Sequence, residues 1–402
     1  MKYTVESRSE YATLAIILIN RFDLPKDLVR AQMTRFVREF RVPRAGHPTH
    51  RKGHPLPPIA MTLFYADFLR NGICRAATMC IEKQLCEYRL PNSGEKAVCT
   101  KSLLALARVI RCMESDPSGN IISLGEWANE LQDLAKQSSI ELPLFQPADW
   151  YRLTVSVLDS LPTNLIDKHF AGFSTTCRYW FPTCHHSFDQ VNERLLIHSA
   201  PTSGVFDLLS ALRAPIPVAI SPAPIQCPLC ENFEPLHRTE LASPKLVQDA
   251  HPPSCIWIQL FRTDDSIDDT NNHNSSRPHQ RHRDEPSLSR HAVSIPKTIK
   301  INTQGKIDQV LSEKTIDPLY DLYAVLIYFS RAERGYPPQE FPQDSGGRFS
   351  LVVFLPAAEN VTQPFWIQDG QPKIPLNKPQ DLKLLETHSH AVFYSIRNKM
   401  PR

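Results

Sequence analysis

A chain of 402 residues is longer than one small domain and fits one large or two medium domains. Hydrophobic residues make up 42% and charged residues 22%, as in chains that bury a core, and the net charge of +3 gives no argument for a nucleic-acid or membrane-surface partner. Ten unevenly spaced cysteines exclude a small disulfide scaffold and favour a reducing compartment, whereas 35 prolines against 13 glycines predict rigid turns and short elements.

The first residues contain no clear targeting segment. The apolar run from Leu14 to Ile19 is far shorter than the ~20 residues that span a bilayer. Glu6 and Glu10 precede it, without the cationic start of a signal peptide. We therefore expect a soluble protein of the cytoplasm or nucleus that does not associate with membranes.

Residues 1–60 are predicted to be an N-terminal appendage. Apolar residues from Val29 to Phe40 recur at helical spacing, with arginines between them. The favoured interpretation is a core-packed helix with a solvated basic face, and the alternative is a helix that binds nucleic acid or an acidic partner. The stretch from Pro43 to Pro58, rich in Pro, His and Arg, predicts a linker.

Residues 61–165 are predicted to be helical. Residues 102–110 combine strong helix formers with an apolar face. Ser123 is a predicted N-cap of the next helix, with Glu126 at the capping-box position. Residues 154–161 extend the helical block, although their β-branched side chains lower the helix propensity.

Residues 170–400 are predicted to form mostly strands. The apolar runs 255–260, 320–328 and 349–355 are typical of buried strands. Residues 264–290 are dense in Asp, Asn, His, Arg and Ser and nearly lack large apolar side chains, which predicts a disordered insertion. Helices first and strands second predict an α+β fold, not a doubly wound sheet.

Several cysteines are candidate ligands of a zinc ion. Cys227 and Cys230 have the Cys-x-x-Cys spacing with which two thiolates on a tight turn bind one tetrahedral zinc. The remaining ligands must come from elsewhere, and Cys184 lies 43 residues upstream, with Cys177 seven residues before it. The alternatives to Cys177 are the two histidines that follow Cys184, His185 and His186. If the site is lost, the cysteines remain as buried or free thiols.

The C-terminal region carries a series of motifs in a fixed order. Gly346-Gly347-Arg348 opens a predicted strand, Trp366 and Asp369 follow, and residues 391–394 end a final hydrophobic strand. Residues 320–325 have the pattern Tyr-x-Leu-x-Ala-Val. These motifs resemble the last segment of the ubiquitin-specific proteases. With partial matches at residues 146–153, 251–262 and 293–301, the resemblance covers residues 65–397.

This resemblance implies a papain-like right-hand fold. Residues 61–400 would form one domain, in which residues 61–165 are the helical thumb and residues 170–400 are the β-rich palm and the fingers. The fingers of the family hold ubiquitin and carry a Cys-x-x-Cys pair at each of two places. Phe181 stands where the first upstream cysteine is expected. The resemblance therefore implies structural zinc on Cys184, Cys227 and Cys230, with Cys177 or a neighbouring histidine as fourth ligand.

The resemblance also assigns catalytic positions, several of which have lost their chemistry. The family nucleophile is a cysteine at a helix N-terminus, and the best candidate is Cys74, although Leu69 stands at the position of the oxyanion asparagine. Arg348 replaces the catalytic histidine, and a guanidinium stays protonated, so it cannot serve as the base. Asp369 lies near the position of the orienting acid, and the glutamate of the helix motif that includes Asp149 is missing.

Three hypotheses about function follow. The favoured one is an inactive deubiquitinase that binds ubiquitin or a ubiquitin-like protein or acts as a scaffold; nucleic acid is not an expected partner. The first alternative is an active thiol-dependent deubiquitinase with Cys74 as nucleophile and a displaced base. The second is a zinc-stapled protein-interaction module that does not bind ubiquitin.

Overall fold

The computed structural model of the chain describes residues 44–46, 55–83, 101–115, 121–137, 147–170, 172–193, 196–202, 204–214, 219–240, 243–248, 250–262, 291–310, 317–329, 348–356, 362–368, 371–375 and 379–397. These residues belong to two compact units. The first takes those within Met1–Ile166 and Tyr323–Leu385, and the second those within Asp167–Leu322 and Glu386–Arg402.

The described elements begin mostly helical and end mostly in strands. The helices are α1 (Leu56–Tyr65), α2 (Asp67–Lys83), α3 (Lys101–Ser115), α4 (Gly125–Gln137), α5 (Pro147–Asp159), α6 (Thr163–His169), α7 (Leu208–Arg213) and α8 (Pro379–His388). The strands are β1 (Arg44–Gly46), β2 (Ile121–Ser123), β3 (Phe173–Trp180), β4 (Ser187–Glu193), β5 (His198–Pro201), β6 (Ala219–Gln226), β7 (Phe233–Glu240), β8 (Lys245–Leu246), β9 (Cys255–Phe261), β10 (Thr298–Ile301), β11 (Ile307–Gln309), β12 (Leu319–Phe329), β13 (Arg348–Pro356), β14 (Thr362–Gln368), β15 (Gln371–Pro375) and β16 (Ser389–Ile396). This order confirms the α+β class.

Helix α1 lies at the centre of the first unit. Every residue from Leu56 to Phe64 is buried. The helix contacts α2, α3, α5, β1 and β13, so it forms the core around which the other helices pack. Strand β13 runs antiparallel to both β12 and β14, with Val352 opposite Val325 on one side and Trp366 on the other. The side chains from Phe349 to Phe354 of β13 are buried, and α1 packs against this strand.

In the second unit, strand β9 lies between β16 and β5. This strand is antiparallel to β16 and parallel to β5, with Ile258 opposite Val392 and His198. Trp257 packs edge-on against two rings, Phe170 at 5.0 Å and Phe393 at 5.1 Å between ring centroids. Nearly all of β9 is buried, which explains its continuous apolar sequence.

The second unit also holds a five-stranded antiparallel sheet, which we call the fingers sheet. Its strand order is β4-β3-β7-β6, and β8 pairs with β3 off this path. It consists of two hairpins, β3–β4 and β6–β7, joined by the pairing of β3 with β7. The turns of the two hairpins carry the cysteines that the sequence singles out.

Most predicted elements are found where the sequence places them. Residues 102–110 lie in α3 and residues 154–161 overlap α5, while the three apolar runs lie in β9, β12 and β13. Ser123 accepts a hydrogen bond from the Gly125 N–H at 3.3 Å, but α4 begins at Gly125, so Leu124 and not Ser123 is the residue directly before the helix. Glu126 pairs with Arg108 of α3.

The predicted linker is wrong in part. Residues 43–58 contain β1 and the first three residues of α1, so the boundary expected between residues 60 and 61 falls inside a buried helix. Pro57 and Pro58 suggested a linker, but proline is tolerated in the first helical turn, where the N–H has no helical partner. The predicted helix at residues 29–40 and the insertion at residues 264–290 lie outside the described residues.

The described helices include none that is long and apolar enough to cross a membrane.

Candidate functional site

The two turns of the fingers sheet have matching backbone geometry. The first knuckle, from Phe181 to His186, is closed by a hydrogen bond from the Phe181 N–H to the His186 carbonyl at 2.9 Å. The second knuckle, from Cys227 to Asn232, is closed in the same way at 2.8 Å. His185 and Glu231 occupy the same place in each turn and both have a positive φ, 57° and 61°. The two knuckles are therefore one motif used twice.

The knuckles bring four potential metal ligands together. One ligand atom from each of Cys184, His186, Cys227 and Cys230 lies within 4.8 Å of the others. The His186 Nδ1 is 3.4 Å from the Cys227 Sγ, so this ring nitrogen faces the sulfur atoms. Three thiolates and one imidazole at such separations fit the tetrahedral coordination of a structural zinc ion.

The surrounding groups favour charged sulfur at one knuckle. Burial opposes the thiolate of Cys227, but the N–H groups of Leu229 and Cys230 and the ring of His186 outweigh it and lower the Cys227 pKa to about 6. At the other knuckle, burial and the carboxylate of Glu234 raise the pKa of Cys184 to about 12. A bound divalent cation would hold both sulfurs as thiolates.

Glu234 fixes the first knuckle from the neighbouring hairpin. This buried residue of β7 accepts hydrogen bonds from the N–H groups of Thr183, at 2.5 Å, and Cys184, at 3.2 Å. Burial alone would raise the pKa of Glu234, but the hydrogen bonds from Cys184 and Thr183 hold that pKa at about 2. The carboxylate thus holds the backbone of a potential metal ligand, Cys184, without belonging to the ligand group itself.

The structure brings His186 into the ligand group and leaves Cys177 out of it. Cys177 lies on β3 opposite Glu240, at the end of β7 far from the second knuckle, a distance on the order of 20 Å along the strand. Its sulfur instead accepts hydrogen bonds from Asn192, at 3.0 Å, and Arg238, at 3.3 Å. Among the predicted metal ligands, Cys177 is therefore replaced by His186.

Phe181 takes a position of the first knuckle at which the second knuckle has a cysteine. In the matching turns, Phe181 stands in the place of Cys227 and Cys184 in the place of Cys230. The side chain of Phe181 is buried. His186 supplies a nitrogen from the far end of the same turn. The sequence alone gives no preference between His185 and His186 as a ligand. The position of each residue in the folded turn distinguishes them.

Cys74 does not lie at a helix N-terminus. It is near the middle of the 17-residue helix α2, where its carbonyl accepts a hydrogen bond from the Thr78 hydroxyl at 2.9 Å. Helix α2 begins at Asp67, directly after α1, so the amide dipoles of a helix start are not directed at this thiol. The expectation that Cys74 opens a helix is wrong.

The environment of Cys74 opposes a reactive thiolate. Burial and the carboxylate of Glu114 raise the pKa of its thiol, against a weaker opposite effect of Arg111 and Arg70. Leu69, at the position expected for an oxyanion donor, is completely buried in the core. A half-buried thiol with a raised pKa is a poor nucleophile at neutral pH.

The other predicted catalytic residues are only partly described. Arg348 is the first residue of β13, with its backbone opposite Phe329 of β12. Asp369 follows the last residue of β14 and lies outside the described residues, as do Gly346 and Gly347. The structure thus confirms that a strand begins at Arg348.

Helix α1 is the helix whose packing against β13 is established. Its first turn contains Leu56, Pro57, Pro58 and Ile59, all buried and without a thiol, hydroxyl or imidazole. The two prolines also remove two of the N–H groups that a helix start offers to an anion. This helix start has neither a nucleophile nor the donors that would activate one.

Comparison with known proteins gives a fold and no close relative. A scan of protein-family models finds no match, and a search of curated protein sequences finds none either. A solved structure that does match is the Saccharomyces cerevisiae PAN2 pseudoubiquitin-hydrolase. It is 14% identical, covers 90% of this chain and 87% of its own, and has a TM-score of 0.51.

The chain has the ubiquitin-specific protease fold.

A second match is the SAGA module Ubp8/Sgf11/Sus1/Sgf73 bound to ubiquitin aldehyde, at 13% identity, covering 90% of this chain and 71% of that chain, with a TM-score of 0.48. The same module with Ubp8 bound to monoubiquitin matches at 12% identity and a TM-score of 0.48, covering 89% and 70%. At such identities the matches concern the fold alone. The fold predicted from the C-terminal motifs, with its helical and β-rich parts, is confirmed.

Proposed function

We propose that this protein is a non-catalytic domain of the ubiquitin-specific protease fold that binds ubiquitin or a ubiquitin-like protein, or serves as a scaffold for such a complex. The observation that carries the proposal is the position of Cys74. A thiol in the middle of a helix, with a raised pKa and a carboxylate nearby, lacks the activation that a cysteine protease requires. Arg348 at the histidine position provides no base.

The core of the first unit supports the same conclusion. For a nucleophile to meet a base at the start of β13, it must lie on an element that reaches that strand. Helix α1 packs on β13, and its first turn is apolar, buried and proline-capped. The catalytic groups are missing at the nucleophile, base and oxyanion positions together. This combination favours a protein that does not catalyse the reaction.

The fingers support a binding role. Both knuckles keep their closing hydrogen bonds, and four ligand atoms remain together although one cysteine has been replaced. A site rebuilt with a different ligand preserves the shape of the fingers, which is what binding needs and catalysis alone does not explain. The match to a protein described as a pseudoubiquitin-hydrolase agrees with this assignment.

Zinc is the metal we assign to the knuckles. Cys184, His186, Cys227 and Cys230 would hold it, with His186 bound through Nδ1, and the ion would be structural because all four positions belong to the protein. Thiolates in this number need a reducing compartment, so we place the protein in the cytoplasm or nucleus.

Reactivity toward ubiquitin that carries a C-terminal electrophile tests the loss of catalysis. We expect no covalent adduct after prolonged incubation, for the full chain and for Cys74→Ala alike. The matched control is Cys112→Ala, which removes an exposed thiol of the same unit. An adduct that forms on the full chain and is lost only in Cys74→Ala would establish the active alternative.

Titration with ubiquitin tests the binding role separately. We expect saturable binding that is unchanged in Cys74→Ala, because the thiol has no part in it. Absence of binding to ubiquitin and to ubiquitin-like proteins would support instead a zinc-stapled interaction module with other partners. The two experiments are independent, so the loss of catalysis and the binding role succeed or fail separately.

A further inference from the structure

The outer strand β4 of the fingers sheet is exposed on both faces. All of its residues from Ser187 to Val191 are exposed, including two large apolar side chains, Phe188 at 43% and Val191 at 58%. Among the described strands, β4 pairs with β3 and with no other. Its other edge therefore presents backbone N–H and C=O groups that a further strand would complete.

The opposite edge of the same sheet is protected, and β4 is not. Strand β6 contains Pro222 and Pro224, and its pairing with β7 is irregular between Ile220 and Pro224. Proline and irregular pairing are the usual devices that prevent an edge from accepting another strand. Strand β4 contains no proline, lysine or arginine, and its register with β3 is regular over all seven residues.

The hydrogen-bonding pattern between β3 and β4 indicates which residues of β4 have backbone N–H and C=O groups available to a partner strand. The hydrogen bond from the Phe181 N–H to the His186 carbonyl places Phe181 opposite His186 as a hydrogen-bonded pair. Such pairs alternate along antiparallel strands, so Phe188, Gln190 and Asn192 point their backbone groups toward β3. The residues between them, Asp189 and Val191 among them, point theirs outward.

The sequence of β4 is complementary to itself in one antiparallel register. With Gln190 opposite Gln190 of a second copy, all seven residues pair, and Asp189 stands opposite Val191. A shift of the register in one direction places Asp189 opposite Asp189, and a shift in the other direction places Asp189 opposite Glu193. Like charges directly opposite each other are destabilising, so of these three registers the one centred on Gln190 is free of this penalty.

The side chains agree with this register. Asp189 already pairs with Arg178 of β3, with N···O distances of 2.8 and 3.0 Å, so its charge is balanced within its own chain. Val191 would lie beside that pair and diagonal to Val191 of the second copy, which covers a side chain that is otherwise exposed. Both copies contribute the same residues, as a two-fold symmetric contact requires.

We propose that β4 is a self-association site, through which a second copy of this chain extends the fingers sheet by antiparallel β4–β4 pairing centred on Gln190. Two strands of seven residues bury little surface, so the dimer is weak and forms only as the protein concentration rises. This contact does not depend on ubiquitin or on catalysis.

Sedimentation of the full chain over a wide concentration range tests the proposal. The mass is expected to rise from 45.7 kDa toward that of a dimer. Val191→Pro should weaken association about tenfold or more, because it removes an outward N–H without breaking a bond to β3. Val191→Lys is the second variant, in case the proline disturbs the strand, and Phe206→Lys is the control, since Phe206 is exposed outside this sheet.

Cross-linking tests the register. Gln190→Cys should form a disulfide-linked dimer under mild oxidation, because residues directly opposite each other in an antiparallel pair approach closely enough for a disulfide. The unmodified chain measures the background from its own cysteines, and Gln190→Cys combined with Val191→Pro should return to that background. A chain that stays monomeric at every concentration, or Val191 variants that associate as strongly as the control, would overturn the proposal.

Discussion

The knuckles of the fingers sheet and the thiol of Cys74 differ in what surrounds their sulfur atoms. At the first knuckle, Phe181 stands at the position that Cys227 holds in the second, and His186 brings a nitrogen to the ligand group from the same turn. Around Cys74, no comparable substitute is present among the groups that act on the thiol, which are Glu114, Arg111 and Arg70. The knuckles thus gather four potential ligand atoms, whereas Cys74 lies within a helix and its thiol has a raised pKa.

The difference follows from what each kind of site requires. A structural metal site needs four ligand atoms around one point, and it accepts nitrogen or sulfur from any backbone that reaches that point. A catalytic thiol needs a helix start or base to lower its pKa and a group that returns the proton. One further side chain, such as His186, is enough to complete a set of four metal ligands. A catalytic site, in contrast, fails when either the activated thiol or the proton-transferring group is absent.

Removal of a knuckle ligand should produce the largest effect. We expect Cys230→Ala to abolish binding of about one zinc per chain, since structural zinc supplies on the order of 10 kcal/mol of folding energy at such sites. Metal analysis of the purified protein and circular dichroism with and without chelator measure the change. Cys177→Ser is the control because it keeps an acceptor for Asn192 and Arg238, and equal zinc loss in both variants would contradict the assignment.

A second histidine of the same unit, His198, is buried, and one of its ring nitrogens lacks a hydrogen bond among the described residues. The His198 side chain is 2% exposed, its Nδ1 has no hydrogen-bond partner among the described residues, and burial lowers its pKa from 6.5 to about 4. The unfolded chain binds this proton more readily. The contribution of neutral His198 to the free energy of unfolding is therefore fully present above pH 6.5. It is lost as the pH drops toward 4, which lowers the free energy of unfolding by about 3 kcal/mol.

Chemical denaturation at pH 7.5 and at pH 4.5 measures this loss. Replacement of the ring by His198→Phe should flatten the pH dependence, although it also changes the packing against Phe173, which lies at 4.7 Å. An unchanged dependence in the variant would assign the acid sensitivity to other groups.

Neutralising Glu234 should have a smaller effect, on the affinity of the metal site. Glu234→Gln keeps the shape of the side chain but weakens the hydrogen bonds to the N–H groups of Thr183 and Cys184. Loss of such a supporting group lowers metal affinity about tenfold. Competition with a zinc chelator measures the affinity, and an affinity equal to that of the unchanged chain would show that the knuckle holds its shape without the carboxylate.

The sequence predicts those parts of the fold that depend on local pattern. The apolar runs of β9, β12 and β13 and the amphipathic α3 are evident because burial leaves a direct mark on composition. The first five residues of α1 are missed because Pro57 and Pro58 resemble a linker until the neighbours that bury them are known. The position of Cys74 was missed because α2 starts at Asp67, after a break at Ala66 with ψ 89° that no strong punctuating residue marks.

The site was predictable to the same limited extent. Cys184, Cys227 and Cys230 follow from spacing, because thiolates on tight turns are a known metal pattern. The choice of His186 over Cys177 and His185 depends on which way each side chain leaves the turn. That direction is fixed by the positive φ of His185, and the only sequence signal for it is the parallel with Glu231 after Cys230.

Restoring the histidine should have the smallest effect of all. Arg348→His places an imidazole at the start of β13, yet we expect no cleavage of a fluorogenic ubiquitin substrate, because the first turn of α1 holds no nucleophile and Cys74 lies within α2. Ubiquitin binding should also be unaltered by Cys74→Ala. Cleavage by Arg348→His that disappears when Cys74→Ala is added would mean that this thiol does reach the strand. In that case, the absence of activity would depend on residue 348 alone, and the contrast between the knuckles and the surroundings of Cys74 would not hold.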